Sequence, residues 1–224
     1  MSGYGQFCPV AKAMEVLDER WTLLIVRELL YGSTRFNELR RGVPRMSPTL
    51  LSKRLRSLER VGVIRREELN GHAIYTLTPS GQELRPLVEA LGVWGLRWVG
   101  TLGEEDYDPH LLFWDMRRKV PVRHWPRGRT TVHFHFEDVP SPADRWWFVV
   151  SGEDVDVCDA DPGFEVSVAV STRLRDLVRV WRGDMSWPQL LAQAAIDGSS
   201  TARRSLPQWF GQSELAGVPR PVPA

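Results

Sequence analysis

Residues 35–78 decide the fold of the first half of this chain, and they read RFNELRRGVPRMSPTLLSKRLRSLERVGVIRREELNGHAIYTLT. A short helix is predicted over 36–41, followed by a turn that contains glycine and proline. Ser47 is a good helix N-cap, and Pro48 suits the first helical position because its φ is already near the helical value. The helix that begins there should end near Gly62, a residue type favoured just beyond a helix C-terminus.

A β-hairpin is predicted directly after this helix. Two β-prone runs, 63–69 and 73–78, flank Asn70-Gly71-His72, and Asn-Gly between two such runs is a strong hairpin signal. Pro79 then opens a long helical stretch to about Thr101, with apolar side chains on one broad face.

Two further helices are predicted upstream. One begins at Pro9, and the next begins at Asp18 or Glu19 and ends at Gly32 and Ser33. The complete order is helix, helix, short helix, turn, helix, hairpin, helix. This order is typical of a winged helix-turn-helix with a flanking helix, a fold that places its second helix in the major groove of DNA.

The helix that starts at Pro48 has two faces. Leu51, Leu55 and Leu58 recur at helical spacing and form the predicted buried stripe. The other side carries hydroxyls and cations that suit phosphate contacts and base-edge hydrogen bonds. The predicted DNA-binding residues of this helix are Ser47, Thr49, Ser52, Lys53, Arg54 and Arg56. Those of the hairpin, or wing, are Arg65, Arg66, Asn70 and His72.

Charge is distributed unevenly along the chain. Residues 1–102 carry 15 Lys/Arg and 10 Asp/Glu, whereas residues 103–224 carry 14 and 18. Within 33–66 there are ten basic residues and only two acids, a balance that favours contact with phosphates through counterion release. A charge cluster of this kind is also compatible with an ordinary solvated face, so charge alone does not establish a DNA partner.

Residues 8–98 resemble the HxlR-type branch of the MarR-related winged-helix regulators. The matching stretches are CPVAKAMEVLDERWTLLIVRELL, the 35–67 portion of the quoted sequence, and YTLTPSGQELRPLVEALGVWGLRW. The resemblance implies a homodimer on a palindromic operator, with dimer contacts from the N-terminal segment and from the helix after the wing. The predicted interface residues of that helix are Leu84, Leu87, Leu91, Trp94 and Trp98, which could alternatively pack on the second half of the chain.

Cys8 lies where HxlR-like regulators often carry a thiol. A thiolate next to a helix N-terminus is stabilised by the helix dipole, so Cys8 is a candidate redox sensor. The alternative is a small apolar residue at the dimer interface. Cys158 falls in a predicted strand of the second half, and two separated cysteines do not indicate a disulfide framework.

The second half changes character after a polar, acidic segment. The predicted domains are a winged helix-turn-helix over 1–102, a linker over 103–109, an α+β domain over 110–215 and a flexible tail over 216–224. Four strands are expected near 131–136, 145–150, 154–159 and 164–170, and they imply an antiparallel sheet. Helices are expected over 172–181, 187–195 and 201–210, and they should cover the sheet.

Residues 110–215 also resemble the domain of sterol-carrier-like proteins, on the stretches WWFVVSGEDVDVCDADPGFEVSVAVSTRLRDLVRVWRGDMSW and AAIDGSSTARRSLPQWF. This resemblance implies an apolar ligand held between the sheet and its helices. The predicted pocket residues are Trp147, Phe164, Leu177, Trp181, Leu190 and Trp209. Aromatic residues at these spacings more often belong to a plain core.

Catalytic and metal-binding motifs are not found. The sequence has no nucleophile–base pair, phosphate-binding loop or dinucleotide motif, and His133, His135 and Glu137 are too few for a predicted metal site. We therefore expect neither an enzyme nor a cofactor. The absence of a signal peptide pattern and of a long apolar run predicts a cytoplasmic protein with no membrane partner.

The predicted function is a sequence-specific transcriptional repressor that acts as a homodimer on double-stranded DNA. An apolar effector in the second domain, or modification of Cys8, would control it. The alternative is a lipid-binding or other hydrophobic-ligand-binding protein whose winged helix mediates protein contacts.

Overall fold

The computed structural model describes residues 3–99 and 101–221, and it divides the chain into two compact units, 1–92 and 93–224. The ends of the predicted first domain and tail, at 1–2 and 222–224, and Gly100 of the predicted long helix lie outside the described residues. The elements of unit 1 are α1 (Pro9–Leu17), α2 (Thr22–Leu30), α3 (Phe36–Gly42), α4 (Pro48–Arg60), β1 (Ile64–Leu69), β2 (His72–Leu77) and α5 (Pro79–Gln82), and α6 (Arg85–Trp98) runs from unit 1 into unit 2.

Unit 1 has the predicted winged helix-turn-helix. β1 and β2 form an antiparallel pair joined by Asn70 and Gly71, whose φ values of 52° and 75° are the left-handed conformation that a tight two-residue hairpin requires. Leu51, Leu55 and Leu58 of α4 are fully buried in the core of the unit, as their spacing predicts.

Two helix boundaries in unit 1 differ from the sequence prediction. The second helix begins at Thr22 rather than at Asp18 or Glu19. Trp21 takes a left-handed conformation with φ of 80°, which a right-handed helix cannot include, so α2 can begin only after this residue. The stretch from Pro79 forms two helices, α5 and α6, instead of one. Pro86 has no N–H to continue α5, but it fits the first turn of α6.

Unit 2 contains helices and one five-stranded sheet. Its elements after α6 are α7 (Pro109–Lys119), β3 (Thr130–Phe136), β4 (Arg145–Ser151), β5 (Asp154–Cys158), β6 (Val168–Thr172), α8 (Leu174–Arg182), α9 (Trp187–Gln193), β7 (Ala195–Gly198) and α10 (Ser200–Phe210), with short 3-10 turns at Glu104–Asp106 and Val122–His124. The predicted linker over 103–109 therefore contains one of these turns and the first residue of α7.

The sheet of unit 2 is mixed, so the prediction of an antiparallel sheet was wrong. The strand order is β5-β4-β3-β6-β7, and β3 pairs with β6 in parallel while the other neighbours are antiparallel. The connection over 159–167 carries the chain back past β4 and β3 before β6 begins. Residues 164–167, predicted as part of a strand, lie in this connection, because β4 and β3 separate β5 from β6 in the sheet and the chain must cross both.

Aromatic side chains fill the core of unit 2. Phe113 of α7 packs among Phe134, Phe148 and Trp146 on the sheet, with ring centroids 5.0 to 6.2 Å apart. Trp125 is buried, and its Nε1 donates a hydrogen bond of 2.7 Å to the carbonyl oxygen of Trp209. The sheet, α7 and α10 thus share one core.

The segment predicted as a flexible tail is anchored where the structure describes it. The Nη2 atom of Arg220 donates to the Asp184 carboxylate at 2.6 Å and to the carbonyl oxygen of Arg182 at 2.7 Å. Composition alone indicated disorder for these residues, but one arginine within the segment supplies a specific attachment.

Candidate nucleic-acid interface

α4 presents a polar face opposite its buried leucines. The helix begins as predicted, since the Ser47 side chain accepts a hydrogen bond from the backbone N–H of Leu50 at 3.2 Å. Thr49, Lys53 and Arg56 follow at helical spacing and are all exposed, while Ser52 beside them is partly buried. This geometry places hydroxyls and cations together on one side of the helix.

The two cations of this face have no competing partner. Within the described residues, neither Lys53 nor Arg56 makes a side-chain hydrogen bond or ion pair. Arg60 extends the same row by one turn and is also exposed, although the sequence prediction did not include it. Its position four residues after Arg56 was the signal that could have identified it.

Arg54 departs from the predicted DNA-contacting set. Its guanidinium forms an ion pair with Glu19, and its Nε lies 3.3 Å from the carbonyl oxygen of Arg20. The side chain is only 14% exposed. Because these partners lie on the segment before α2, Arg54 attaches α4 to the rest of unit 1 in this structure and does not point outward with Lys53 and Arg56.

The wing carries four exposed polar residues, as its sequence predicts: Arg65, Arg66, Asn70 and His72. Arg65 on β1 donates from Nε to Oγ1 of Thr76 at 3.0 Å, which orients its side chain across the hairpin. The hairpin is also attached to the start of α3, because the N–H of Tyr75 donates to the carbonyl oxygen of Thr34 at 2.8 Å. The wing and the helix-turn-helix are therefore one hydrogen-bonded assembly within unit 1.

A buried carboxylate holds the helices that support α4. Glu28 of α2 is fully buried, and its Oε1 accepts hydrogen bonds from Nε and Nη2 of Arg27 at 3.1 and 2.8 Å. The same Arg27 Nη2 donates to the carbonyl oxygen of Gly42 at the end of α3, at 2.9 Å. The sequence prediction missed this link between α2 and α3, since one acid on a helix gives no local signal of its partner.

The predicted dimer residues divide into two groups. Leu84 is partly buried against the core of unit 1. Leu87, Leu91, Trp94 and Trp98 are 42 to 60% exposed and follow one another at helical spacing on α6. Near the other end of the chain, Phe7, Val10 and Met14 are exposed as well. Cys8 precedes the first residue of α1 and is partly buried.

The predicted ligand-pocket residues are not all brought together. Leu177, Trp181, Leu190 and Trp209 belong to the aromatic core between the sheet and helices of unit 2. Trp147 lies outside that core and stacks on His133, with ring centroids 4.7 Å apart. Phe164 is 38% exposed in the connection between β5 and β6.

Among residues 3–99 and 101–221, no three His, Cys, Asp or Glu side chains form a group suited to a metal ion. In the same residues, no helix combines the length and apolar character that a bilayer crossing demands.

Comparison with known proteins identifies the family to which the first half of the chain is similar. Residues 16–102 match the profile of the HxlR-like helix-turn-helix family. The chain is similar to the uncharacterized HTH-type transcriptional regulator YvaP of Bacillus subtilis, with 37% identity over 98 residues that cover 42% of this chain and 91% of YvaP. It is also similar to the uncharacterized HTH-type transcriptional regulator sll1512 of Synechocystis, with 35% identity over 98 residues, 42% of this chain and 73% of the relative.

Among solved structures, the reduced form of the transcriptional regulator YodB from B. subtilis has 30% identity to this chain. The alignment covers 42% of this chain and 97% of YodB, with a TM-score of 0.37.

Proposed function

Because this chain belongs to the HxlR-like helix-turn-helix family, whose matched relatives are HTH-type transcriptional regulators, we propose that it represses transcription by binding an operator as a homodimer. The observation that carries the proposal is the exposed face of α4, on which Lys53 and Arg56 have no partner among the described residues. A cation without an internal partner is available to a phosphate or to a base edge.

Each polar residue of this face has a proposed role. Lys53 binds a phosphate, because an ammonium acts as a flexible point charge. Arg56 reads a base edge in the major groove, where a guanidinium forms two parallel hydrogen bonds to guanine. The hydroxyl residues Ser47, Thr49 and Ser52 contact phosphates and base edges around them.

The wing binds beside the recognition helix. Its exposed Arg65, Arg66, Asn70 and His72 contact flanking phosphates or the adjacent minor groove. Arg65 is oriented by Thr76, so its guanidinium is directed before DNA arrives. These contacts add affinity and fix the orientation of α4 in the groove.

The homodimer is proposed from the exposed apolar surface. The row of Leu87, Leu91, Trp94 and Trp98 on α6 and the exposed Phe7 near the N-terminus leave large apolar side chains in water, as residues of a protein interface do before association. A two-fold dimer would present two copies of α4 to the two halves of a palindromic operator.

Cys8 is proposed as the redox-responsive residue of the dimer. It directly precedes α1, so modification of its thiol would change the surface that joins two chains. Diamide, which oxidises thiols, should release DNA from the wild type and leave the Cys8→Ser complex intact in a gel-shift assay. Equal release of DNA from both proteins would show that oxidation of Cys8 does not control DNA binding.

An apolar effector in unit 2 stays a prediction. Four of the six predicted pocket residues lie in the aromatic core, so a ligand there would have to open packed contacts. Titration with a long-chain fatty acid should raise the thermal midpoint of unfolding if the site exists. An unchanged midpoint at saturating concentrations of the fatty acid would argue against it.

Selection of bound sequences from random duplex DNA tests the central proposal. The selected site should bind at least about a thousand times more tightly than random DNA, with log K falling steeply as log salt rises. Lys53→Ala should weaken all sequences about equally and make the salt slope shallower by about one, whereas Arg56→Ala should also relax specificity at one base pair. A flat salt dependence without selectivity would favour the hydrophobic-ligand-binding alternative.

A further inference from the structure

Unit 2 carries a strongly basic segment within an acidic surrounding sequence. Between Asp115 and Glu137 there are six Lys/Arg and no acid. Residues 103–224 contain 14 Lys/Arg and 18 Asp/Glu in total, so outside this segment eight basic residues stand against all 18 acids. Charge is therefore separated along the chain of unit 2 instead of being mixed evenly.

Only some of these cations are free to meet a partner. Arg117 donates from Nε to the carbonyl oxygen of Val155 at 2.8 Å, and Arg118 and Lys119 form ion pairs with Asp115. Arg117 thus links α7 to β5, whereas Arg118 and Lys119 form ion pairs within α7 itself. The others lie further along the chain.

The remaining cations lie in the segment 122–129, which we name the basic loop. Arg123, Arg127 and Arg129 are exposed, and within the described residues none of them forms a hydrogen bond or ion pair through its side chain. Residues 123–129, which contain all three arginines, span at most about 25 Å even when fully extended. A duplex carries about one negative charge for each 1.7 Å of its axis, so each of the three guanidiniums can meet a phosphate.

The basic loop is held in place by its one buried aromatic residue. Trp125 stacks on Phe148 and Trp209, with ring centroids 5.8 and 5.1 Å away, and donates its Nε1 hydrogen bond to the Trp209 carbonyl oxygen. Arg129 lies with its guanidinium carbon 4.0 Å from the centroid of Phe164, an arrangement that leaves the donor edge of the guanidinium available. The arginines thus project from a fixed backbone, which reduces the entropy lost on binding.

We propose that the basic loop binds the phosphate backbone of duplex DNA next to the site read by α4. This inference rests on the proposed function, because the loop is covalently tethered to a DNA-bound winged helix and therefore encounters DNA at high effective concentration. Among the described residues, its exposed arginines form no side-chain hydrogen bond or ion pair that would fix their register against base edges, so the contact depends on charge and not on sequence.

The test compares two variants of the full chain that each lose two exposed arginines. Arg123→Ala/Arg127→Ala removes charge from the basic loop. Arg173→Ala/Arg204→Ala is the matched control, because both of its residues are exposed in unit 2 and lack side-chain partners among the described residues. The probe is the duplex selected by the wild-type protein, prepared with minimal flanks and with about 20 additional base pairs on each side.

On the long duplex, the loop variant should show a salt slope shallower than wild type by about 1.8 for each bound chain, because each lost phosphate contact lowers the slope by about 0.9. Between 50 and 200 mM salt, this corresponds to about a twelvefold smaller loss of affinity per chain. The difference should disappear on the minimal duplex, sequence preference should not change, and the control variant should follow the wild type on both probes.

Two results would overturn the inference while leaving the proposed function intact. One is a loop variant whose affinity and salt slope on the long duplex equal those of a selective, salt-sensitive wild type. The other is an equal change in loop variant and control, which would indicate the general charge of unit 2. If the wild type itself shows no selectivity and no salt dependence, the proposed function and this inference both fail.

Discussion

Glu28 of α2 and Gly42 of α3 show how closely single residues pack between two helices of unit 1. A Cβ atom built on Gly42 would lie 2.0 Å from Oε2 of Glu28 and 1.9 Å from its Cδ. The Glu28 carboxylate is fully buried and bound by Arg27, so it cannot swing into water to make room. The space beside the carboxylate is therefore too small for any side chain larger than the hydrogen atom of glycine at position 42.

Gly42→Ala should destabilise the protein by about 1 to 3 kcal/mol, because the added methyl group must displace a buried charged group. Urea unfolding followed by circular dichroism would measure the loss. Gly217→Ala is the control, since Gly217 has open space around its Cβ position, and it should change stability by less than about 1 kcal/mol. Equal effects of the two substitutions would contradict this account of Gly42.

His133 is a second residue whose surroundings decide its behaviour. Burial lowers the pKa of its imidazole below the ordinary value of 6.5, and the nearby charges of Arg145 and His135 lower it further, while Asp161 and Asp144 oppose them. Its Nε2 is buried and has no hydrogen-bond partner among the residues that the structure describes. The folded state therefore favours the neutral imidazole stacked on Trp147.

Acidification should consequently weaken unit 2. Because the folded pKa of His133 lies below the unfolded pKa, the unfolded chain binds the proton more readily, and stability is lost as the pH falls from about 6.5 through the folded pKa. The urea midpoint should fall between pH 7.5 and 5.5, and His133→Phe should reduce that fall. His124→Gln, at an exposed site, should retain it. A His133→Phe protein with the wild-type pH profile would contradict the assignment.

At the scale of elements, the attachment of α4 depends on Arg54. Its ion pair with Glu19 and its contact with the Arg20 carbonyl oxygen join the middle of α4 to the segment before α2. Lys53 and Arg56, on either side in sequence, have no such link among the described residues. Arg54 therefore stabilises the packing of α4 within unit 1, whereas Lys53 and Arg56 keep their charges exposed to solvent.

Arg54→Ala should lower stability by about 1 kcal/mol, since a partly buried ion pair and hydrogen bond are lost. Glu19→Gln should cost a similar amount, and the double variant should cost less than the two losses added together. Urea unfolding of all four proteins measures this coupling. Additive losses would show that the two side chains act independently, and an effect of Arg54→Ala confined to the DNA salt slope would instead indicate a phosphate contact.

The elements differ in how far local sequence predicts them. α4 and the wing follow from an N-cap serine, leucine spacing and an Asn-Gly turn, all of which act over a few residues. α7 was missed although Asp108 and Pro109 mark its start, and the Asp108 side chain does cap the N–H of His110 at 2.9 Å. The parallel pairing of β3 with β6 has no comparable signal, because it depends on where a nine-residue connection crosses the sheet.

At the scale of the whole molecule, the exposed row on α6 is the main surface that predicts assembly. Leu91→Glu would place a charge in the middle of this row, where desolvation on association would be costly. We expect the variant to sediment as a monomer and to bind the selected duplex more weakly. Glu89→Lys, on the opposite side of α6, is the control and should sediment like the wild type.

A Leu91→Glu protein that retains the dimer would exclude this face of α6 from the interface. A wild-type protein that sediments as a monomer at micromolar concentration would contradict the proposed homodimer altogether. Because each chain presents one α4, loss of the dimer should also remove the preference for a palindromic site.

The amino-acid sequence by itself determined the helix-turn-helix, the wing and the polar face of α4, because capping, helical spacing and turn conformation are short-range effects. Only the tertiary structure decided that Arg54 binds Glu19, that Glu28 lies against Gly42 and that the sheet of unit 2 is mixed. Those arrangements join residues that are distant in sequence, and their geometry depends on how the elements pack. The same packing pairs Arg54 with Glu19, whereas Lys53 and Arg56 remain available to DNA.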